Sequence, residues 1–301
     1  MTTMLQLIQS AAGEMGLTPP TLVIGSSDAL TQQYLALLNG LGNELQRGYE
    51  WEHSSKAYRF TTQYLTTTGT TTVGSAVVTA IPTTAGLDST YICVGTGVNQ
   101  DCNIVTVDSL TQVTLNQVST ASGTVTLNFC KSAYTMPSDY DRMIDKTSWD
   151  KSKHWEMLGP ETAQQWEWLK SGYIATGPRI RFRLLGGMFQ IWPPVSTSEY
   201  LGFEYISNAW VMATGATEAT KSYFTVDTDT CVYPDRLMIS GLKMKFAEAK
   251  GFDAAPHGRD YLSALSIAKA ASQGSPTLSF APRQSQLLIG WAQIPDTGYG
   301  T

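Results

Sequence analysis

The sequence predicts an α+β protein: a helix-rich domain with short β-hairpins, interrupted by an all-β module and followed by an extended C-terminal tail. Three observations predict it. Apolar residues recur at helical spacing over residues 4–15, 30–49 and 234–271. Between Leu65 and Ala133 only Asp88, Asp101, Asp108 and Lys131 are charged, while Thr, Val, Gly and Ser dominate. From Gln273 onward the chain is rich in Ser, Pro, Gln and Gly.

Composition sets the outer limits. The 301 residues are 42% hydrophobic, enough for a sizeable core, and carry a formal net charge of −5. Charged residues make up only 15%, against roughly 25% in an average soluble protein, so much of the polar surface is neutral. Eight Trp and fourteen Tyr are too many for a disordered chain. The sequence has no apolar run of about 18 residues, the length that a membrane helix needs. The N-terminus has no basic region of the kind that opens a secretory signal. Net acidity argues against tight binding to nucleic acid. Cys93, Cys102, Cys130 and Cys231 have no CxxC spacing, and His53, His154 and His257 are scattered, so no metal or cofactor is expected and free thiols are.

Met4, Leu5, Ile8, Ala11, Ala12 and Met15 form the first helical face, which Gly16 and Pro19-Pro20 terminate. Ser26-Ser27-Asp28 offers capping oxygens to a second, longer helix. Its apolar face runs through Leu30, Tyr34, Leu37, Leu38, Leu41, Leu45 and Tyr49. Residues 51–60 alternate and read as a short strand. The neutral block contains β runs at 72–81, 91–94, 103–107, 112–115 and 123–129, separated by Gly, Pro and Asp-Ser turns. A helix is expected from Pro160-Glu161 to Lys170, then strands at 179–185 and 188–192 across Gly186-Gly187, and a strand over 200–210. Helices over 234–250 and 256–271 meet at Gly251. The tail that follows carries Leu278, Phe280, Leu287, Leu288, Ile289 and Trp291, more apolar residues than a solvated tail needs, so it is expected to dock on a partner, the alternative being a strand or loop folded against its own domain.

Three stretches resemble the head-to-tail adaptor proteins of tailed bacteriophages of the podovirus type. The first is the long helix leading into Gly48-Tyr49-Glu50-Trp51 and Phe60-Thr61-Thr62. The second is Met136-Pro-Ser-Asp-Tyr-Asp-Arg-Met-Ile144 with Trp155-Glu-Met-Leu-Gly-Pro160, Trp166-Glu-Trp168 and Thr176-Gly-Pro-Arg179. The third is Phe203-Glu-Tyr-Ile-Ser-Asn-Ala-Trp210, then Phe224-Thr-Val-Asp-Thr-Asp229, Pro234 and Leu242-Lys-Met-Lys-Phe-Ala-Glu-Ala-Lys-Gly251. The neutral block resembles small β-modules spliced into phage structural proteins. The resemblance implies a virion protein, made in the host bacterial cytoplasm, with no enzymatic activity. It implies a ring of about twelve copies at the head–tail junction, each subunit presenting two different matching faces. The portal protein and the tail tube or nozzle protein would be its partners, and genomic DNA would pass through the channel without sequence recognition. It also implies that the tail reaches onto the portal. The expected organisation is an adaptor domain from 1–64 and 134–272, a β-module at 65–133 and a docking tail at 273–301.

Arg179, Arg181 and Arg183 alternate with Ile180, Phe182 and Leu184, so one face of their strand is basic. That face could meet DNA phosphates or an acidic partner patch, or it could pair with carboxylates of its own chain. Twelve copies at −5 each carry a formal charge of about −60, which suits sliding DNA, so the arginines are expected at a protein interface. Trp149, Trp155, Trp166, Trp168, Trp192 and Trp210 are expected mostly in the core, with one or two at a subunit boundary.

Two rival functions come from the same residues. Glu156, Glu161 and Glu167 near the tryptophans could serve a cell-wall-degrading tail enzyme. Alternatively, the β-module could bind a surface ligand in a decoration or host-recognition component. The sequence contains no G-x-S-x-G elbow and no phosphate-binding glycine loop. Asp227 and Asp229 faintly suggest a cation loop, but the glycine and distal glutamate of an EF-hand are missing.

Overall fold

A computed structural model of the chain describes residues 2–171 and 179–272. The N-terminal part contains α1 (Met4–Glu14), α2 (Ala29–Gly48), a 3-10 turn (Glu52–Ser54) and β1 (Ser55–Thr61). Six strands follow: β2 (Tyr64–Thr71), β3 (Val77–Val78), β4 (Tyr91–Gly95), β5 (Cys102–Ser109), β6 (Gln112–Leu115) and β7 (Gly123–Lys131). Then come β8 (Ala133–Thr135), β9 (Tyr140–Met143), β10 (Trp149–Asp150), β11 (Trp155–Glu156) and α3 (Ala163–Lys170). The remainder is β12 (Arg181–Leu185), β13 (Met188–Trp192), β14 (Tyr200–Ser207), β15 (Val211–Met212), β16 (Thr230–Cys231), α4 (Asp235–Lys250) and α5 (Ala255–Ser272).

This architecture corrects the expected fold class. The protein is mostly β, with sixteen strands against five α-helices among the described residues, in antiparallel sheets that include a nearly closed barrel. The expected helix-rich adaptor domain is not what forms. The reason lies in aromatic residues on strands far apart in the chain, which meet to form a core of their own. Phe182, Phe189 and Phe203 stack in series with centroids 5.0 Å apart, and Phe60, Tyr134 and Tyr205 pack around them. Rings of that size bury enough apolar area to sustain a core made of sheets alone. It draws on β1, β8, β12, β13 and β14, which come from widely separated parts of the chain.

Helices form a second core. Met4, Leu7 and Ile8 of α1, Tyr34, Leu38 and Leu41 of α2, and Leu237, Leu242 and Phe246 of α4 are buried together. Capping follows the sequence. Thr3 and Gln6 form a capping box on α1, Asp28 accepts from the Thr31 N–H of α2 at 2.9 Å, and Gly251 ends α4 at φ +73°. The third helix begins later than expected, at Ala163, because Thr162 and Gln165 form its capping box. Gly186 and Gly187 both have positive φ, as a tight two-residue hairpin between β12 and β13 requires.

The barrel has the strand order β2-β7-β4-β5-β6-β3. It closes where Thr70 and Thr79 exchange backbone hydrogen bonds of 2.7 and 3.0 Å. Val78, Ile81, Cys93, Ile104, Val113, Leu127 and Phe129 fill it. The barrel meets the rest of the chain through Ile92, which packs on Trp166 and Leu169 of α3 and on Trp192. The expected run at 72–81 is instead a turn leading to the two-residue β3, and the longer strand lies earlier, at Tyr64–Thr71.

Candidate functional site

The basic strand is shorter than its alternation suggests. β12 starts at Arg181, and Arg179 lies exposed in the preceding bend. Arg181 is committed internally: its guanidinium donates to Glu161 at 2.6 Å, and the Glu161 side chain is only 8% exposed. Backbone bonds lock the two segments together: the Leu158 N–H donates to the Ile180 carbonyl, the Phe182 N–H to the Leu158 carbonyl and the Glu161 N–H to the Phe182 carbonyl, each at 2.9 Å. Arg183 is half-buried opposite Gln190. Among the described residues Arg179 and Arg183 make no ion pair of the kind that occupies Arg181. The tail residues Leu278, Phe280, Leu287, Leu288, Ile289 and Trp291 lie outside the described residues.

Residues of the second and third resembling stretches meet at Asp139, where Lys56 of β1 joins them. Its carboxylate accepts from Lys56 Nζ at 2.6 Å and from the Tyr205 and Ser207 hydroxyls at 2.8 Å each. Lys56 also donates to the Ala219 carbonyl at 2.7 Å. One carboxylate thus ties β1, β14 and the loop after β15 together. Burial pushes the Asp139 carboxyl up, but the bonds from Lys56, Tyr205 and Ser207 outweigh it and hold the group below its ordinary value. Burial and the Asp139 charge drive the Tyr205 hydroxyl well above its ordinary value.

The two aspartates of the faint cation loop are also spent on structure. Asp229 accepts from Lys221 Nζ at 2.9 Å and from the Thr225 and Val226 N–H groups at 2.9 and 3.0 Å. Asp227 accepts from the N–H groups of Val23 and Ile24 at 3.0 and 2.7 Å. Their loop is a knot that anchors the α1–α2 connection, with the Lys221 ammonium as its cation. Among the described residues no group of three or more His, Cys, Asp or Glu side chains is placed to hold a metal.

The carboxylates of the enzyme reading sit on different elements: Glu156 on β11, Glu161 against β12 and Glu167 on α3. Trp166, Trp192 and Trp210 are buried and Trp149 is half-buried, while Trp155 and Trp168 are exposed. All four cysteines are buried free thiols.

Two features escape a sequence reading. The first is a groove of about 530 Å³ between Trp51, His53, Tyr233 and the end of α5 at Ala268–Ser272. Glu52 N–H donates to Ser272 Oγ at 3.1 Å across its rim. Burial lowers the His53 imidazole to about 4, and its Nε2 has no partner among the described residues. The second is the outer face of α5. Ala268 is the one buried residue of this eighteen-residue helix, and Leu262 and Ile267 are 62% and 67% exposed. The sequence signal was present, since Ser263, Ser266 and Ala270 share the outward face at helical spacing and the apolar pattern is weak there.

No helix among the described residues is long and apolar enough to cross a membrane. No protein-family model matches the chain, and neither does any curated protein.

Proposed function

We propose that the protein is a structural head-to-tail connector of a tailed bacteriophage virion. In this reading about twelve copies form a ring beneath the portal, extend the DNA channel and join it to the tail by heterologous contacts around a rotation axis. The ring sits at the head–tail junction and performs no chemical step. The resemblance of the quoted stretches supplies the identity of the assembly.

The observation that carries the assembly is α5. One face of α5 packs on the helical core through Tyr261, Ala264, Leu265 and Ala268, while Leu262 and Ile267 face outward where a neighbouring copy can cover them. Each subunit's net charge of −5 leaves the channel free of a strong grip on phosphate. The barrel, almost without charge, suits a position projecting from the ring. At its β5–β6 hairpin tip Leu110 is 73% exposed.

The test is negative-stain imaging of the purified protein alone and mixed with the portal ring of the same phage. Rings in either sample support the reading. A monomer or trimer indifferent to portal overturns it, and clearing of peptidoglycan by the protein would then favour the enzyme.

A further inference from the structure

The barrel and α3 leave a groove between them that the connector reading does not use. Its volume is about 510 Å³, within the range of small-molecule sites, which favour such boundaries between separately cored units. One wall is apolar: Leu169 from α3, Trp192, Pro193 and Pro194 from the end of β13, and Val94 and Val98 from the barrel. The other wall is polar, formed by Asn99, Gln100 and Asp101. It continues into a second hollow reaching Gln117, Glu167 and Lys170.

The polar wall is rigid before any ligand arrives. Asp101 has φ +54°, and its carbonyl accepts from the amides of Asn103, Asn116 and Gln117 at 3.2 to 3.3 Å. Asn99 donates to the Val118 carbonyl at 3.2 Å. These bonds use the NH₂ groups of Asn99 and Gln117. Their amide oxygens accept no hydrogen bond from the described residues, and neither does the Glu167 carboxylate. The wall therefore presents acceptors, which recognise hydroxyl donors.

Charge narrows the ligand further. Lys170 Nζ pairs with Asp101 at 2.7 Å and lies 5.9 and 5.7 Å from the ring centroids of Trp166 and Trp192. Lys170, the one ammonium lining this space among the described residues, is thus paired with a carboxylate, which disfavours a phosphate. The aromatic rings already carry a cation, which leaves no place for a second. What remains is an apolar wall facing an acceptor wall across a neutral space, which complements a ring that has a C–H face and hydroxyls at its edge.

We propose that this groove binds one neutral pyranose residue of a glycan. Its C–H face rests on Val94, Val98 and Pro193, backed by the buried Leu169 and Trp192, and its hydroxyls donate to Asn99 in the groove and to Gln117 and Glu167 in the adjoining hollow. The inference stands apart from the connector reading, since ring formation does not pass through this groove.

Saturation-transfer NMR on the full chain tests it, with glucose, galactose, mannose, rhamnose and N-acetylglucosamine each at about 10 mM, enough to populate a site of about 1 mM Kd. At least one sugar is expected to show transfer. Glu167→Ala is expected to weaken it about tenfold, and Gln100→Trp, which fills the groove from an exposed position, to abolish it. Arg259→Ala on α5 is expected to change nothing, and the melting temperature of each variant reports whether it is folded. Absence of transfer from all five sugars overturns the proposal. So does transfer that survives unchanged in both folded groove variants.

Discussion

Gly42 lies directly beneath Trp210: a Cβ added at Gly42 would stand 2.2 Å from the Trp210 indole ring. The same indole donates to Asn43 Oδ1 at 3.0 Å, and one turn further on Gln46 donates to the Ser207 carbonyl at 2.5 Å. Through this contact α2 is fixed to the end of β14, and the helical core to the aromatic sheet core. Two glycines of one helix should therefore respond in opposite ways. Gly42→Ala is expected to destabilise the protein by about 1–3 kcal/mol through overpacking. Gly40 is exposed with open space at its Cβ, and Gly40→Ala is expected to gain about 0.5–1 kcal/mol of helix stability. Urea denaturation of both variants checks this, and equal responses would contradict the contact.

Asp139 is the second joint. Asp139→Asn removes the charged acceptor that Lys56, Tyr205 and Ser207 share and leaves the Lys56 ammonium four-fifths buried without its ion-pair partner. The expected cost is about 2–3 kcal/mol in chemical denaturation, the scale of lost hydrogen bonds to a largely buried charge. A change below about 0.5 kcal/mol, as at an ordinary surface site, would show that the cluster is incidental.

His53 should give the stability a pH dependence of its own. Its folded value of about 4 lies below the ordinary 6.5 because burial disfavours the imidazolium. The unfolded chain therefore takes up the proton first as pH falls. Stability is expected to decline from about pH 6.5 to about pH 4, where the folded form also protonates. Asp139 and Asp229, both held below 3.8, add a further loss in more acidic solution. His53→Leu is expected to flatten the upper part of the profile and leave the lower part. Parallel profiles for the two proteins would contradict the assignment.

The thiols should be inert while the protein is folded. Burial raises Cys130 to about 11 and Cys231 to about 12, and pushes Cys93 and Cys102 up as well. A disulfide reagent at pH 8 is expected to titrate no thiol rapidly in the native protein and all four in denaturant. Fast reaction of even one native thiol would place that cysteine at the surface.

Legibility in the sequence followed the physics of each element. α1, α2 and α4 are readable because each carries an apolar period and a capping signal, α5 is readable more weakly behind the Gly251 break, and Met188–Trp192 is readable because Gly186-Gly187 marks its turn. β2 is not, because its Thr-rich stretch hides the alternation of inward and outward faces behind one residue type. Fold class went wrong for a different reason. Tyr58, Tyr134, Phe189 and Phe203 each look like an aromatic in a short hairpin, and only their meeting across the chain makes them a core. Candidate site residues followed the same division. The alternation of Arg179, Arg181 and Arg183 is plain in the sequence, but the Glu161 partner of Arg181 lies 20 residues away and no pattern announces it.

In the proposed connector, copies of this chain close into a ring through the outward face of α5. The most direct measurement is the particle mass of the wild type and of Leu262→Glu/Ile267→Glu, each in the presence of the portal ring. Both positions are exposed, so the variant is expected to fold normally and to stay monomeric, while the wild type assembles about twelve copies. Assembly of the variant to the same mass, or a wild type that remains monomeric beside the portal, would contradict the account.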